Sequence, residues 1–166
     1  MIMEEKEEKN YILSIIVENQ PGVLYRASNM FRKRGFNIDS ISVGPTERKD
    51  LARMTITING DDTTVEQLVK QLSKLIDVIK ISVLNSKNTV VRELALVKLH
   101  VPDAKARSDV INYANIFRGR IIDVTPGSMV VEVTGTPDKI DAFLTLATTF
   151  GIKEIARTGV TALIRG

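Results

Sequence analysis

Met54 is followed by Gly60 six residues on, by Val65 five further and by Leu68 three further; Met129, Gly135, Ile140 and Phe143 repeat those intervals. In each half an amphipathic segment ending in Phe-Arg (Phe31-Arg32, Phe117-Arg118) comes before the series. A chain of 166 residues that writes the same spacing twice is constrained to two similar units, each built from the same elements. The halves differ in one place. Phe31 and Met54 stand 23 residues apart, Phe117 and Met129 only 12, so the first half carries a long polar loop that the second lacks.

The elements follow from periodicity. Tyr11 to Val17 is an aliphatic run too short for a helix and reads as a strand. Asn19-Gln20-Pro21-Gly22 turns the chain, with Pro21 suited to the first position of a helix. Val23, Ala27, Met30 and Phe31 recur at helical spacing up to Arg34, with Arg26, Asn29, Arg32 and Lys33 mostly on the other side, and Gly35 stops the helix. Ile38 to Val43 and Leu51 to Asn59 are extended, the second with Ala52, Met54, Ile56 and Ile58 on one face. The polar stretch from Gly44 joins them as a hairpin with a long loop. Thr63 and Glu66 have capping-box spacing for a helix with Val65, Leu68, Val69, Leu72 and Ile76 as its stripe, and Val78 to Leu84 is extended again. After the polar residues 86–89 the order repeats: strand Val90 to Val101, helix from about Lys105 to Arg118, strands Arg120 to Val124 and Met129 to Thr134, a helix opened by Thr136-Pro137, and one final extended segment, Ile152 to Leu163.

The fold class is therefore α+β. Two tandem ferredoxin-like βαββαβ domains are expected, each an antiparallel four-stranded sheet with its helices on one face. The predicted boundaries are a disordered or frayed tail over 1–10, a first domain over 11–85, a linker at 86–89 and a second domain over 90–166. Val90 to Val101 is apolar on both sides (Val91, Ala95, Val97 and Leu99 on one, Leu94 and Leu96 on the other). Helices on one face leave the other to be covered by a second sheet or a second subunit, so a homodimer at least is expected.

Composition removes most chemistries. Without cysteine and with His100 as the single histidine, a thiol nucleophile, a Cys-ligated zinc or a histidine triad has nothing to stand on. A net charge of +3 and strands nearly free of aromatics argue against nucleic acid, where stacking side chains are needed. No apolar run reaches membrane-spanning length, and nothing behind the charged start resembles a secretion signal, so a cytoplasmic location is expected. Asp61-Asp62 invites an acid–base or metal reading, but a loop followed by a helix cap explains the pair without chemistry. No phosphate loop of the Walker type is present.

What remains is the corner at Asn19 to Leu24. At a helix start several amides have no intrahelical partner and the dipole end is positive. The amides of Gly22, Val23 and Leu24 can receive a carboxylate or phosphate, with Asn19 and Asn37 as neutral polar contacts. The same residues can also be only a turn, with Asn19 or Gln20 capping the helix.

Asn19-Gln20-Pro21-Gly22-Val23-Leu24 followed by Arg34-Gly35-Phe36-Asn37-Ile38 resembles the amino-acid-binding ACT module. The longer words Arg34 to Thr46, Leu51 to Ile56, Gln71 to Val78, Arg92 to Lys98, Phe117 to Pro126 and Ala156 to Val160 resemble the regulatory (small) subunits of acetolactate synthase, also called acetohydroxyacid synthase. The resemblance implies a chain without catalytic activity and without a cofactor of its own. The partner it implies is the catalytic large subunit, expected to carry thiamine diphosphate, magnesium and FAD and to make acetolactate for branched-chain amino-acid synthesis. It further implies activation of that subunit and feedback inhibition by valine or another branched-chain amino acid, bound between paired ACT domains. Family positions governing valine sensitivity fall on Asn19, Gly22 and Asn37; Pro21 stands where relatives often have Ser. The implied effector site is Asn19, Gln20, Pro21, Gly22, Val23, Leu24, Asn37 and Ile38, the last with Val23 and Leu24 as an aliphatic pocket. The alternative is an ACT sensor serving another enzyme or a transcription factor.

Overall fold

The structure is a computed structural model and describes residues 8–166. Lys9–Glu18 (β1), Val23–Lys33 (α1), Ile38–Pro45 (β2), Leu51–Gly60 (β3), Asp62–Leu72 (α2) and Val78–Leu84 (β4) give the first βαββαβ unit. Its antiparallel sheet has the order β2-β3-β1-β4, so β1 and β3 are central and β2 and β4 are edges. The tail expected over residues 1–10 lies mostly outside the described residues, and Lys9 and Asn10 are the first residues of β1.

Alternation in β1 and β3 sends Leu13, Ile15, Val17, Met54, Ile56 and Ile58 to the helix side, where they bury against Val23, Ala27 and Phe31 of α1 and Val65, Leu68 and Leu72 of α2. Gly60 lets the ring of Phe36 approach, since a Cβ there would lie 2.7 Å from Phe36 Cε1. Two local expectations are corrected. The cap of α2 is Asp61, whose carboxylate accepts from the Thr64 amide at 2.8 Å, in place of a box led by Thr63. Ile76 is not on the helix stripe: α2 ends at Leu72, and Ile76 is 92% exposed beyond it.

A short 3-10 turn at Ser86–Asn88 occupies the expected linker. Thr89–His100 (β5), Ala104–Ile116 (α3), Arg120–Thr125 (β6), Ser128–Gly135 (β7), Pro137–Ala147 (α4), Ile152–Arg157 (β8) and Thr161–Ile164 (β9) follow. The second sheet runs β6-β7-β5-β8, and β9 pairs with β5 to make five strands where four were expected. Its core joins Ala95, Val97 and Leu99 to Val110 and Ala114 of α3 and Ile140 and Phe143 of α4, with Phe117 and Phe143 edge-to-face at 5.4 Å. Leu94 and Leu96, on the face away from the helices, are half-buried.

The last extended segment is two strands, broken where the Thr158 amide and hydroxyl both turn to the Leu94 backbone carbonyl. The break matters for the division of the chain. One compact unit runs to Val90 and takes in Val160–Gly166; the other is Val91–Gly159. The C-terminal residues expected in the second domain thus belong to the first unit. Val160 and Ala162 are buried there, and the Val160 amide donates to Ser40 Oγ at 3.3 Å.

Candidate functional site

Three backbone ties hold the corner after β1. The Glu18 amide donates to the Asp77 carbonyl at 2.9 Å, the Asn19 amide to the Asp50 carbonyl at 2.8 Å and the Gln20 amide to the Glu18 carbonyl at 3.0 Å. The Asn19 side chain adds a longer bond, Nδ2 to the Lys49 carbonyl at 3.4 Å. Asn19 is thereby fixed to the loop between β2 and β3, not to the helix as a cap. That loop is itself folded, with Arg48 and Asp50 ion-paired at 2.6 Å.

Pro21 lies in the turn, outside the helix it was expected to open; Gly22 is the N-cap. Gly22 has φ 84° and ψ −8°, a left-handed conformation that a glycine adopts without steric cost. Its carbonyl accepts the Arg26 amide at 3.0 Å, the first helical bond, while the Val23 amide turns back to the Gln20 carbonyl at 3.4 Å. Leu24 and Tyr25 precede any α-helical donor, so their amides have no intrahelical acceptor. Of the expected set Gly22, Val23 and Leu24, Val23 is thus taken up by the turn, and Tyr25 joins Leu24 as an open donor. No side chain caps α1, and no acidic residue occupies its first turn. The other three α-helices among the described residues are capped by their own oxygens, from Asp61, Asp103 and Thr136.

Arg26 is the residue that pattern reading missed. It was placed with the solvent-facing residues of α1, yet it reaches back over the corner. Its Nε donates to Asp77 Oδ2 at 2.7 Å, and a Cβ on Gly22 would lie 2.9 Å from its Nη1. The Asp77 side chain is only 7% exposed. The hydrogen bond to Asp77 raises the guanidinium further above its ordinary pKa, so it is a fixed positive charge beside the positive helix end. The signal was available: residue 26 is one helical turn after residue 22 and shares its face.

Asn37 and Ile38 are elsewhere. α1 has eleven residues, about 16 Å of rise, and they follow its far end. Asn37 is exposed with no side-chain hydrogen bond among the described residues, and Ile38 opens the edge strand β2. One chain thus carries the two parts of the expected effector site at opposite ends of one helix. Val23 is buried in the core, so it does not line an open pocket, whereas Leu24 is 47% exposed.

The competing sites dissolve on inspection. Asp61 is a helix cap, and Asp62 accepts from the Tyr11 hydroxyl and pairs with Lys9 at 3.5 Å. His100 is exposed at the end of β5.

Comparison with known proteins matches this arrangement along its length. A family model described as the AHAS small subunit-like ACT domain matches residues 13–80, and one described as the small subunit of acetolactate synthase matches 92–166. The chain is 56% identical to a probable acetolactate synthase small subunit of Methanothermobacter thermautotrophicus, over 99% of its own length and 98% of the relative's. The chain belongs to the acetolactate synthase small-subunit family. The small subunit of Mycolicibacterium smegmatis is 48% identical over 94% of this chain and 91% of its own. The crystal structure of the small subunit from Thermotoga maritima superposes with a TM-score of 0.89 at 39% identity, covering 95% of this chain and 98% of that one. Residues 13–80, within the first unit, thus match the ACT domain of this family, which fits a regulatory role. No helix among the described residues is long and apolar enough to cross a membrane.

Proposed function

We propose that this chain is the regulatory subunit that binds and activates a catalytic large subunit of acetolactate synthase and makes it sensitive to valine. The thiamine diphosphate, magnesium and FAD of the reaction belong to that partner, and the chain works as a homodimer or higher oligomer. The observation that carries the effector reading is the uncapped start of α1 with the Arg26 guanidinium against Gly22. A valine carboxylate placed there accepts from the Leu24 and Tyr25 amides beside a fixed cation. Asn37 of a second copy receives the ammonium, because within one chain it is a helix length away. Leu24 and Ile38 supply aliphatic surface for the side chain.

Feedback needs valine to favour one arrangement of subunits over another, and a coupling of about 1–3 kcal/mol is typical. Asn19 offers a route outward. Its amide holds the Asp50 carbonyl, so a change at the corner reaches the loop between β2 and β3. That polar loop, absent from the second unit, is our candidate for the contact with the catalytic chain.

Reconstitution with a catalytic subunit tests this. Gly22→Asp places a carboxylate of the chain's own at the helix start, and Asn37→Ala removes the ammonium partner. Both should abolish valine inhibition while activation persists. An unchanged valine titration in both variants removes the corner from the account. Failure of the native chain to co-purify with a thiamine-dependent partner favours an ACT sensor serving another enzyme.

A further inference from the structure

The sheet face turned away from α1 and α2 has a different chemistry from the aliphatic helix side. Across β3, β1 and β4 the register aligns Arg53, Ile16 and Lys80 in one row and Thr55, Ser14 and Ser82 in the next. Residues of the C-terminal segment stand over this face, and with it they line an open cavity of about 310 Å³ whose lining lies wholly within the first unit. Arg53, Lys80, Ser14 and Ser82 form its polar floor, and Leu163 and Ile164 its apolar wall. A second hollow of about 360 Å³ on the same face shares Arg53 and Leu163.

Among the described residues no carboxylate lies within ion-pair distance of Arg53 or Lys80. Arg53 is half-buried, and its Nη1 donates to Ser14 Oγ at 2.6 Å, which fixes the guanidinium on the floor. Glu47 also borders the cavity, but it is exposed on the β2–β3 loop, where water screens it more than the half-buried Arg53. The charge least screened by water is therefore positive. Arg53 and Lys80 flank Ile16 on neighbouring strands, about 10 Å apart at the backbone, and their long side chains can close on one anionic group. Ile16, Leu84 and Leu163 then leave an apolar space beside it.

We infer that this cavity is a second ligand site, on the face opposite the helix corner, for a small aliphatic carboxylate. The carboxylate bridges Arg53 and Lys80 and the aliphatic arm packs against the C-terminal residues. Because Leu163 and Ile164 are its wall, occupancy holds the C-terminal segment on the sheet.

NMR titration of the full chain with 3-methylbutanoate, followed on the methyl groups of Ile16, Leu163 and Ile164, tests the site; inorganic phosphate is the second probe. Saturable shifts are expected, weakened about tenfold or more in Arg53→Gln and in Lys80→Gln. Lys80 is exposed on an edge strand, so its variant remains informative if Arg53→Gln fails to fold. Gly22→Ala, on the helix side, leaves these shifts in place. Absence of saturable shifts overturns the proposal, as does a Lys80→Gln chain that binds with native affinity. Phosphate that moves the same methyls as strongly as the carboxylate overturns the aliphatic selectivity.

Discussion

Gly22 joins a left-handed backbone to a close contact with Arg26, and the two constrain any replacement differently. In Gly22→Ala the methyl group meets the flexible end of Arg26, which can swing aside, but the left-handed conformation costs about 1–2 kcal/mol. Urea unfolding should show that loss, with valine inhibition weakened because Arg26 is displaced. Arg26→Ala leaves the buried Asp77 carboxylate without its cation. Its urea midpoint should fall, and Arg26→Lys should recover only part, because an ammonium cannot place a donor as the Nε does. The corner itself was legible in the sequence, since Pro-Gly between an aliphatic run and an amphipathic one has few readings. Arg26 was not, because a hydrophobic pattern says which side of a helix is wet and not where a long side chain travels along it.

The strands and helices were read closely because alternation and helical spacing in this chain are seldom interrupted; β3, with Ala52, Met54, Ile56 and Ile58 all buried, is the clearest case. Errors fell at element ends, where a single side-chain bond decides. Asp61 moved the start of α2, and Thr158 split the last strand. Asp103→Ala removes the acceptor for the Ala106 amide and should cost about 1 kcal/mol in urea unfolding without altering the valine response. At the edge strand β8, Lys98 hydrogen-bonds Glu154 at 2.8 Å and, with its charge, holds that carboxyl below the usual glutamate range. A depressed folded pKa means that the pair's contribution is present above the unfolded value and is lost as pH falls through the folded one. Carboxyl NMR titration should find the Glu154 midpoint low, returning to the ordinary range in Lys98→Met.

At the scale of the whole chain, the repeated spacing announced two units, but it could not assign residues 160–166. Local pattern identifies a strand without naming its neighbours, and this strand lies far in sequence from the sheet face it covers. A chain ending at Gly159 should therefore weaken the first unit: losing the Val160 bond to Ser40 and the burial of Val160 should cost about 2 kcal/mol. Hydrogen exchange should quicken in β3 while β7 stays protected. The duplication also makes the two first helices natural counterparts. In the second unit Asp103 holds the Ala106 amide with a carboxylate bound to the chain itself. Such a group competes with any free carboxylate at the effective concentration of a tethered ligand. The second helix start thus carries a carboxylate of its own, whereas its twin in the first unit is left without one.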